Sequence, residues 1–257
     1  MKKITLSLVM ATLFTAACST GASAFLTTKA NHDRIIIGFF YSGSEVSISG
    51  LSDPGLDYIV TMTSPECHQS LKRKGKVGGV LWMNVGDLKC EKVPNLYFVQ
   101  STRKLDDLLP ASVQEQYLLG YPAIKKRIEM EPVKDQAEKD KWFAEFVKFK
   151  EARKLFFNTA GGFQTSQADG KQKYYMKFKW PYQAPPGEYV ATIYGVKDGR
   201  IVEQATSKVL VEQVGSVKLL ANMAKNQGAF YGILAILSAI GAGFAVGLVF
   251  GKGGGAH

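Results

Sequence analysis

The chain has 257 residues, 46% of them hydrophobic and 21% charged, with a mean hydropathy of −0.04 and a formal net charge of +10. Those figures exclude wholesale disorder and leave room for one good core or two small ones. Both chain ends are almost free of charge, so the 32 basic and 22 acidic residues crowd into the middle.

At the N-terminus Lys2 and Lys3 precede an uncharged run over residues 4–17 and the small residues Ala22-Ser23-Ala24. This is the layout of a secretory signal peptide covering residues 1–24, cleaved before Phe25. Thr15-Ala16-Ala17-Cys18 offers a rival, a lipobox whose Cys18 would be lipidated, although Thr15 stands where such a box carries leucine. A retained transmembrane anchor is the third reading, and the run is short for a hydrocarbon core of about 30 Å.

Residues 34–41, 45–49, 57–63, 80–84 and 96–101 are β-rich runs, separated by the turn chemistry of Ser52-Asp53-Pro54-Gly55, Gly78-Gly79 and Val93-Pro94-Asn95. Once Cys18 leaves with the leader, Cys67 and Cys90 remain in an oxidising compartment, and a disulfide is the default. It would close a loop of about 24 residues and stabilise by about 3 kcal/mol. Free thiols are the second reading. A metal cluster of Glu66, Cys67, His68 and Cys90 is the third, without the paired CxxC or HxxxH spacing of zinc sites.

Loss of Lys2 and Lys3 lowers the formal charge from +10 to +8, with basic clusters at Lys72, Arg73, Lys74, Lys76 and at Lys125, Lys126, Arg127. The first cluster reads either as a solvated hairpin edge protected by lysines or as an attractor of anionic lipid headgroups or an acidic partner. Nucleic acid is not expected as a partner in an exported domain.

Pro110 and Pro122 limit any helix over residues 108–128, whereas residues 134–157 carry Trp142, Phe143, Phe146, Phe149 and Phe156 at three- and four-residue spacing. That stripe predicts a helix packed on a core. Period-two alternation then resumes, Tyr174, Met176, Phe178 and Trp180 on one face against Tyr175, Lys177 and Lys179 on the other. Asp169-Gly170 and Asp198-Gly199 mark hairpins, and Pro185-Pro186-Gly187 leads into a further strand. The pattern predicts a mainly β fold: an immunoglobulin-like β-sandwich over residues 25–213 with a helical insertion at about residues 106–158.

Residues 214–227 form a juxtamembrane segment, and residues 228–251 hold no charge, enough to span roughly 36 Å as a helix. Residues 252–257 would be a cytoplasmic tail. Ala239, Gly243, Gly247 and Gly251 recur every four residues, a ridge that admits a second helix closely.

Chemistry is harder to find. The histidines are His32, His68 and His257, and GxSxG, HExxH, P-loop and dinucleotide fingerprints are absent from the sequence. The expectation is a non-enzymatic protein with no catalytic residue, cofactor or metal.

Residues 80–84, residues 93–105 with Pro94-Asn95-Leu96-Tyr97 and Ser101-Thr102-Arg103, residues 143–156, residues 185–194 and the run from Val214 onward together resemble an uncharacterised family of bacterial transmembrane proteins first noted in alphaproteobacteria. The resemblance implies a signal peptide, a periplasmic domain and one C-terminal helix in the inner membrane. It also implies an accessory role in transport, beside a sulfite-exporter-type permease. Cys67 and Cys90 match no part of the family pattern, so the disulfide rests on compartment alone. The leading expectation is a membrane-anchored accessory or assembly protein held by the lipid bilayer and a membrane-protein partner. The alternative is a tethered binding module for a small anion on one of the basic clusters, and a redox or metal-handling protein built on Cys67, His68 and Cys90 ranks third.

Overall fold

A computed structural model describes residues 25–250; the leader with Cys18, the Gly251 end of the ridge and the tail lie outside the described residues. The described residues are mainly β, 45% strand against 30% helix, with one C-terminal apolar helix. Seven strands come first: β1 (Lys29–Ala30), β2 (Arg34–Ile37), β3 (Ser44–Ser52), β4 (Asp57–Thr63), β5 (Glu66–Val77), β6 (Leu81–Pro94) and β7 (Tyr97–Ser101). Three short helices, α1 (Leu105–Leu108), α2 (Ala111–Gln116) and α3 (Tyr121–Arg127), then lead to β8 (Glu129–Glu131) and the long α4 (Gln136–Ala152). The chain returns to strands in β9 (Phe156–Ala160), β10 (Gln164–Ala168), β11 (Lys171–Trp180), β12 (Gly187–Lys197) and β13 (Arg200–Gln213), and ends in α5 (Gly215–Asn226) and α6 (Gly228–Phe250).

Two sheets, ordered β1-β3-β11-β10 and β2-β13-β12-β4-β7-β9, lie face to face. Aromatic pairs knit them: Tyr58–Tyr174 at 5.0 Å between ring centroids, Phe98–Phe178 at 5.4 Å and Trp180–Tyr189 at 4.7 Å, edge to face. The run Tyr58-Ile59-Val60-Thr61-Met62 in β4 is buried on both its faces. The second cover is the helical region, where Tyr117 meets Tyr194 and Tyr121 meets Tyr97. A strand roofed on both sides has no polar face to show, which is why its sequence is nearly continuous in apolar residues. The third sheet, β5-β6-β8, is built on a long hairpin.

Tyr97 ties the helical cover to the sheet. Its buried hydroxyl donates to the Leu118 carbonyl at 2.6 Å and accepts from the Gly120 amide at 2.8 Å. Leu118 and Gly120 both have positive φ, 53° and 83°, so the hydroxyl completes a turn that the backbone alone would leave with two unpaired groups. Tyr97→Phe is expected to lower stability by about 1–3 kcal/mol in denaturant titration of the detergent-solubilised chain, with little change in volume. An effect near zero would show that water reaches the turn.

Several sequence expectations shift. The helix expected over residues 134–157 stops at Ala152, because Lys154 adopts φ 57°, and Phe156 opens β9, parallel to β7. The insertion at about residues 106–158 therefore contains β8 and the start of a core strand besides helices. The strand expected over residues 34–41 ends at Ile37, with Phe39 and Phe40 in a turn. Of residues 80–84, Val80 belongs to the turn and the rest are only the outer end of the 14-residue β6, and the basic run before them is strand β5. β5 carries no period-two signal because its inward face is Cys67, Gln69, Leu71, Arg73 and Gly75, too polar to alternate visibly with the outer face.

Candidate membrane-facing site

Strand register decides which parts of the fold lie together. Thr63 of β4 pairs with Val190 of β12 and with Tyr97 of β7, and Val190 pairs with Lys208 of β13. Beyond them Gln213 pairs with Ile37 at the end of β2. One end of the six-stranded sheet thus carries the passage from β13 into α5, the exit of β2 and both roots of the β5–β6 hairpin. Ser44 pairs with Trp180, which brings the loops over residues 38–43 and 181–186 to the same end. Large side chains stand open to solvent there, Phe39 at 70%, Phe40 at 91% and Tyr182 at 71%.

From this end the chain passes into α5, none of whose residues is buried, then breaks at Gln227 and continues as α6. The Gln227 amide still donates to Met223 and its carbonyl accepts from Tyr231, so the break is a bend rather than a loop. α6 is long and apolar enough to cross a membrane, and no part of that window is buried within the chain. At about 1.5 Å per residue its 23 residues reach roughly 34 Å. Ala239, Gly243 and Gly247 share one face, and a Cβ added at Gly243 or Gly247 would meet nothing within 4 Å. Gly251, the fourth member of the ridge, lies outside the described residues.

The hairpin divides into a packed root and a bare tip. At the root β8 pairs with Lys89–Glu91, and Arg73 lies 3.8 Å from Glu138 and 5.4 Å from the Trp142 ring of α4. At the tip Gly78 and Gly79 turn with φ 63° and 76°, a left-handed pair that only glycine takes without strain. Around them Val77, Val80, Leu81, Trp82, Met83 and Val85 are all exposed, Val80 at 86% and Trp82 at 64%.

The basic cluster expected at Lys72, Arg73, Lys74 and Lys76 is not one patch. Strand alternation sends Arg73 inward to α4, while Lys72, Lys74 and Lys76 share the outer face. Lys72 pairs with Asp87 at 2.6 Å; among the described residues Lys74 and Lys76 form no ion pair, and the Lys76 ammonium lies 5.6 Å from the Trp82 ring centroid. In the second cluster every cation has an acidic partner: Lys125 with Asp140 at 3.2 Å, Lys126 with Glu115, and Arg127 with Glu66 at 2.6 Å. A cleft lined by Thr61, Tyr97, Tyr117, Tyr194 and Arg127 lies nearby, its guanidinium already taken by Glu66.

The disulfide expected between Cys67 and Cys90 is not formed; both are free thiols. Cys67 stands opposite Val93 and Cys90 opposite Gln69, with a register shift at His68, so they are diagonal rather than facing. Cys67 Sγ instead lies 3.3 Å from the Val93 carbonyl and accepts from Gln69 Nε2. The four residues weighed as a metal cluster point apart: Glu66 meets Arg127 and His68 meets Glu91, whereas Cys90 is buried. No group of three or more potential ligands gathers among the described residues.

Lys150, which no sequence pattern singles out, is only 2% exposed although it lies on α4. Its ammonium donates to the Asn95 carbonyl at 3.3 Å and sits 5.5 Å from the ring centroids of Phe146 and Phe156. Burial lowers its pKa to about 8. Burial likewise pushes the Cys90 thiol up to about 11, so at neutral pH it is inert packing rather than a nucleophile.

A family model described as "Putative transmembrane protein (Alph_Pro_TM)" matches residues 25–252. No curated protein matches the chain.

Proposed function

Because the chain belongs to this family of transmembrane proteins, we propose that it is a non-enzymatic accessory or assembly protein, anchored in the bacterial inner membrane with its β domain in the periplasm. The leader over residues 1–24 exports the chain, and α6 stays in the bilayer. The two facing sheets support an immunoglobulin-like sandwich as the scaffold, a fold suited to presenting loops at its ends to a partner. The observation that carries the reading is α6 itself: an uncharged helix, unburied by its own chain, with the Ala239–Gly243–Gly247 face open for another helix. The partner is a membrane protein, and a sulfite-exporter-type permease is the class the family resemblance favours.

The test is recovery of a tagged full-length chain from gently solubilised membranes, native beside a Gly243→Leu, Gly247→Leu variant. A membrane protein recovered in near-equal amount with the native chain is expected, falling at least about tenfold in the variant, since two leucines hold the helix backbones apart. Equal recovery from both chains would remove the ridge from the interface. Recovery of the chain alone from both would overturn the accessory role.

A further inference from the structure

We propose that the tip of the β5–β6 hairpin is a second membrane contact, in which Val80, Leu81, Trp82 and Met83 enter the interface of an anionic bilayer while Lys74 and Lys76 hold its headgroups. It rests on the membrane anchoring of the chain and needs no protein partner. Three observations lead to it. The apolar side chains of the tip touch no core, and such a concentration of open valine, leucine, methionine and tryptophan is a liability unless something covers it. The covering surface must be negative, because residues 74–85 contain Lys74 and Lys76 and no acidic residue.

The third observation is position. Both hairpin roots leave the sheet at the end where β13 passes into α5 and the membrane helix. From there the 12 residues of β5 can carry the tip on the order of 35–40 Å. Phe39, Phe40 and Tyr182 are open at the same end. A tryptophan beside lysines on a polar–apolar border is the composition that membrane interfaces select, with the indole at headgroup depth and the ammonium groups on phosphate. A bilayer therefore fits the tip in charge, in apolar character and in location. Anchored at α6 and touching again through the hairpin, the β domain would be held at a fixed tilt over the lipid.

Trp82 supplies the readout, since α5 and α6 contain no tryptophan, and Trp142 and Trp180 belong to the folded body. The full-length chain is reconstituted into vesicles of mixed phosphatidylglycerol and phosphatidylcholine containing acyl-brominated lipid, and separately into phosphatidylcholine vesicles with the same quencher. The expected result is partial quenching of emission in the anionic vesicles, lost in Trp82→Phe and in the Lys74→Glu, Lys76→Glu variant, and reduced by added salt. Among the described residues the side chains of Lys74, Lys76 and Trp82 form no hydrogen bond or ion pair with another element and lie outside the core, so the variants keep the fold. A chain that floats with vesicles while its Trp82 emission stays unquenched overturns the hairpin contact and leaves the anchor standing. Equal quenching in both vesicle types overturns the role of the lysines, and failure to float removes the anchor and this contact together. Loss of partner recovery with the quenching intact would instead strike only the accessory role.

Discussion

Gly50→Ala should destabilise the fold by about 3 kcal/mol or more, one of the larger effects available to a single methyl group here. Gly50 lies in β3 opposite Tyr174 of β11. A Cβ at this position would fall 2.6 Å from Tyr174 Cζ, and closer still to the Tyr174 hydroxyl and the Thr27 carbonyl oxygen. Neither neighbour can yield cheaply. Tyr174 is fully buried against Tyr58, whose own hydroxyl is hydrogen-bonded to Ser52 at 2.6 Å. The Thr27 carbonyl accepts the Tyr174 hydroxyl, and the Thr27 amide donates to Leu51 at 2.9 Å. The missing side chain thus makes the niche in which a buried phenol ties the N-terminal segment to the sheet. Thermal unfolding of the full-length chain in detergent checks it. Tyr174→Phe in the same background should rescue only part of the loss, because the Thr27 carbonyl still collides. A loss below about 1 kcal/mol would mean that residues 25–28 swing away from β3 without penalty.

Lys150→Met should act in the opposite direction, raising stability at pH 7 by about 1–3 kcal/mol. Burial holds the Lys150 pKa at about 8, against roughly 10.4 for a lysine in the unfolded chain. The difference corresponds to about 3 kcal/mol of desolvation carried by the charged form in the fold. Losing the hydrogen bond to Asn95 and the two ring contacts offsets part of that gain. The pH dependence identifies the cause. Below pH 8 Lys150 is protonated in both states and the penalty is constant. Between about pH 8 and 10.4 the folded chain gives up the proton while the unfolded chain keeps it, so native stability rises with pH. The Met variant lacks this rise, and its advantage should shrink across the window. Denaturant midpoints at pH 7 and near pH 10 for both chains decide the matter. Destabilisation by Lys150→Met at both pH values, or a gap independent of pH, would show that Lys150 is held by interactions stronger than its burial.

Features carried by local chemistry were legible. The Asp169-Gly170 and Asp198-Gly199 turns sit where Asp169 and Asp198 adopt φ of 53° and 50°, and they close the β10–β11 and β12–β13 hairpins. The alternation of Tyr174, Met176, Phe178 and Trp180 faces the core as its period requires. The uncharged run from Gly228 is one helix, since hydropathy and length need no partner to be read. The hairpin tip left a signal too: Val77-Gly78-Gly79-Val80-Leu81-Trp82 is an apolar run about a glycine turn with lysines before it.

What the sequence determined by itself is local: turns, alternation, the apolar helix and the family that these stretches spell. The tertiary structure alone decided what depends on pairing between distant segments. Register set Cys67 diagonal to Cys90, so two cysteines expected to bond remain thiols. Parallel pairing of β9 with β7 took Phe156 out of the helical stripe, and packing of α4 on Asn95 and Phe156 buried a lysine that composition would leave in water. Side-chain period and turn preference act over a few residues, whereas strand order and register are set by burial summed over the whole core, which no short window contains.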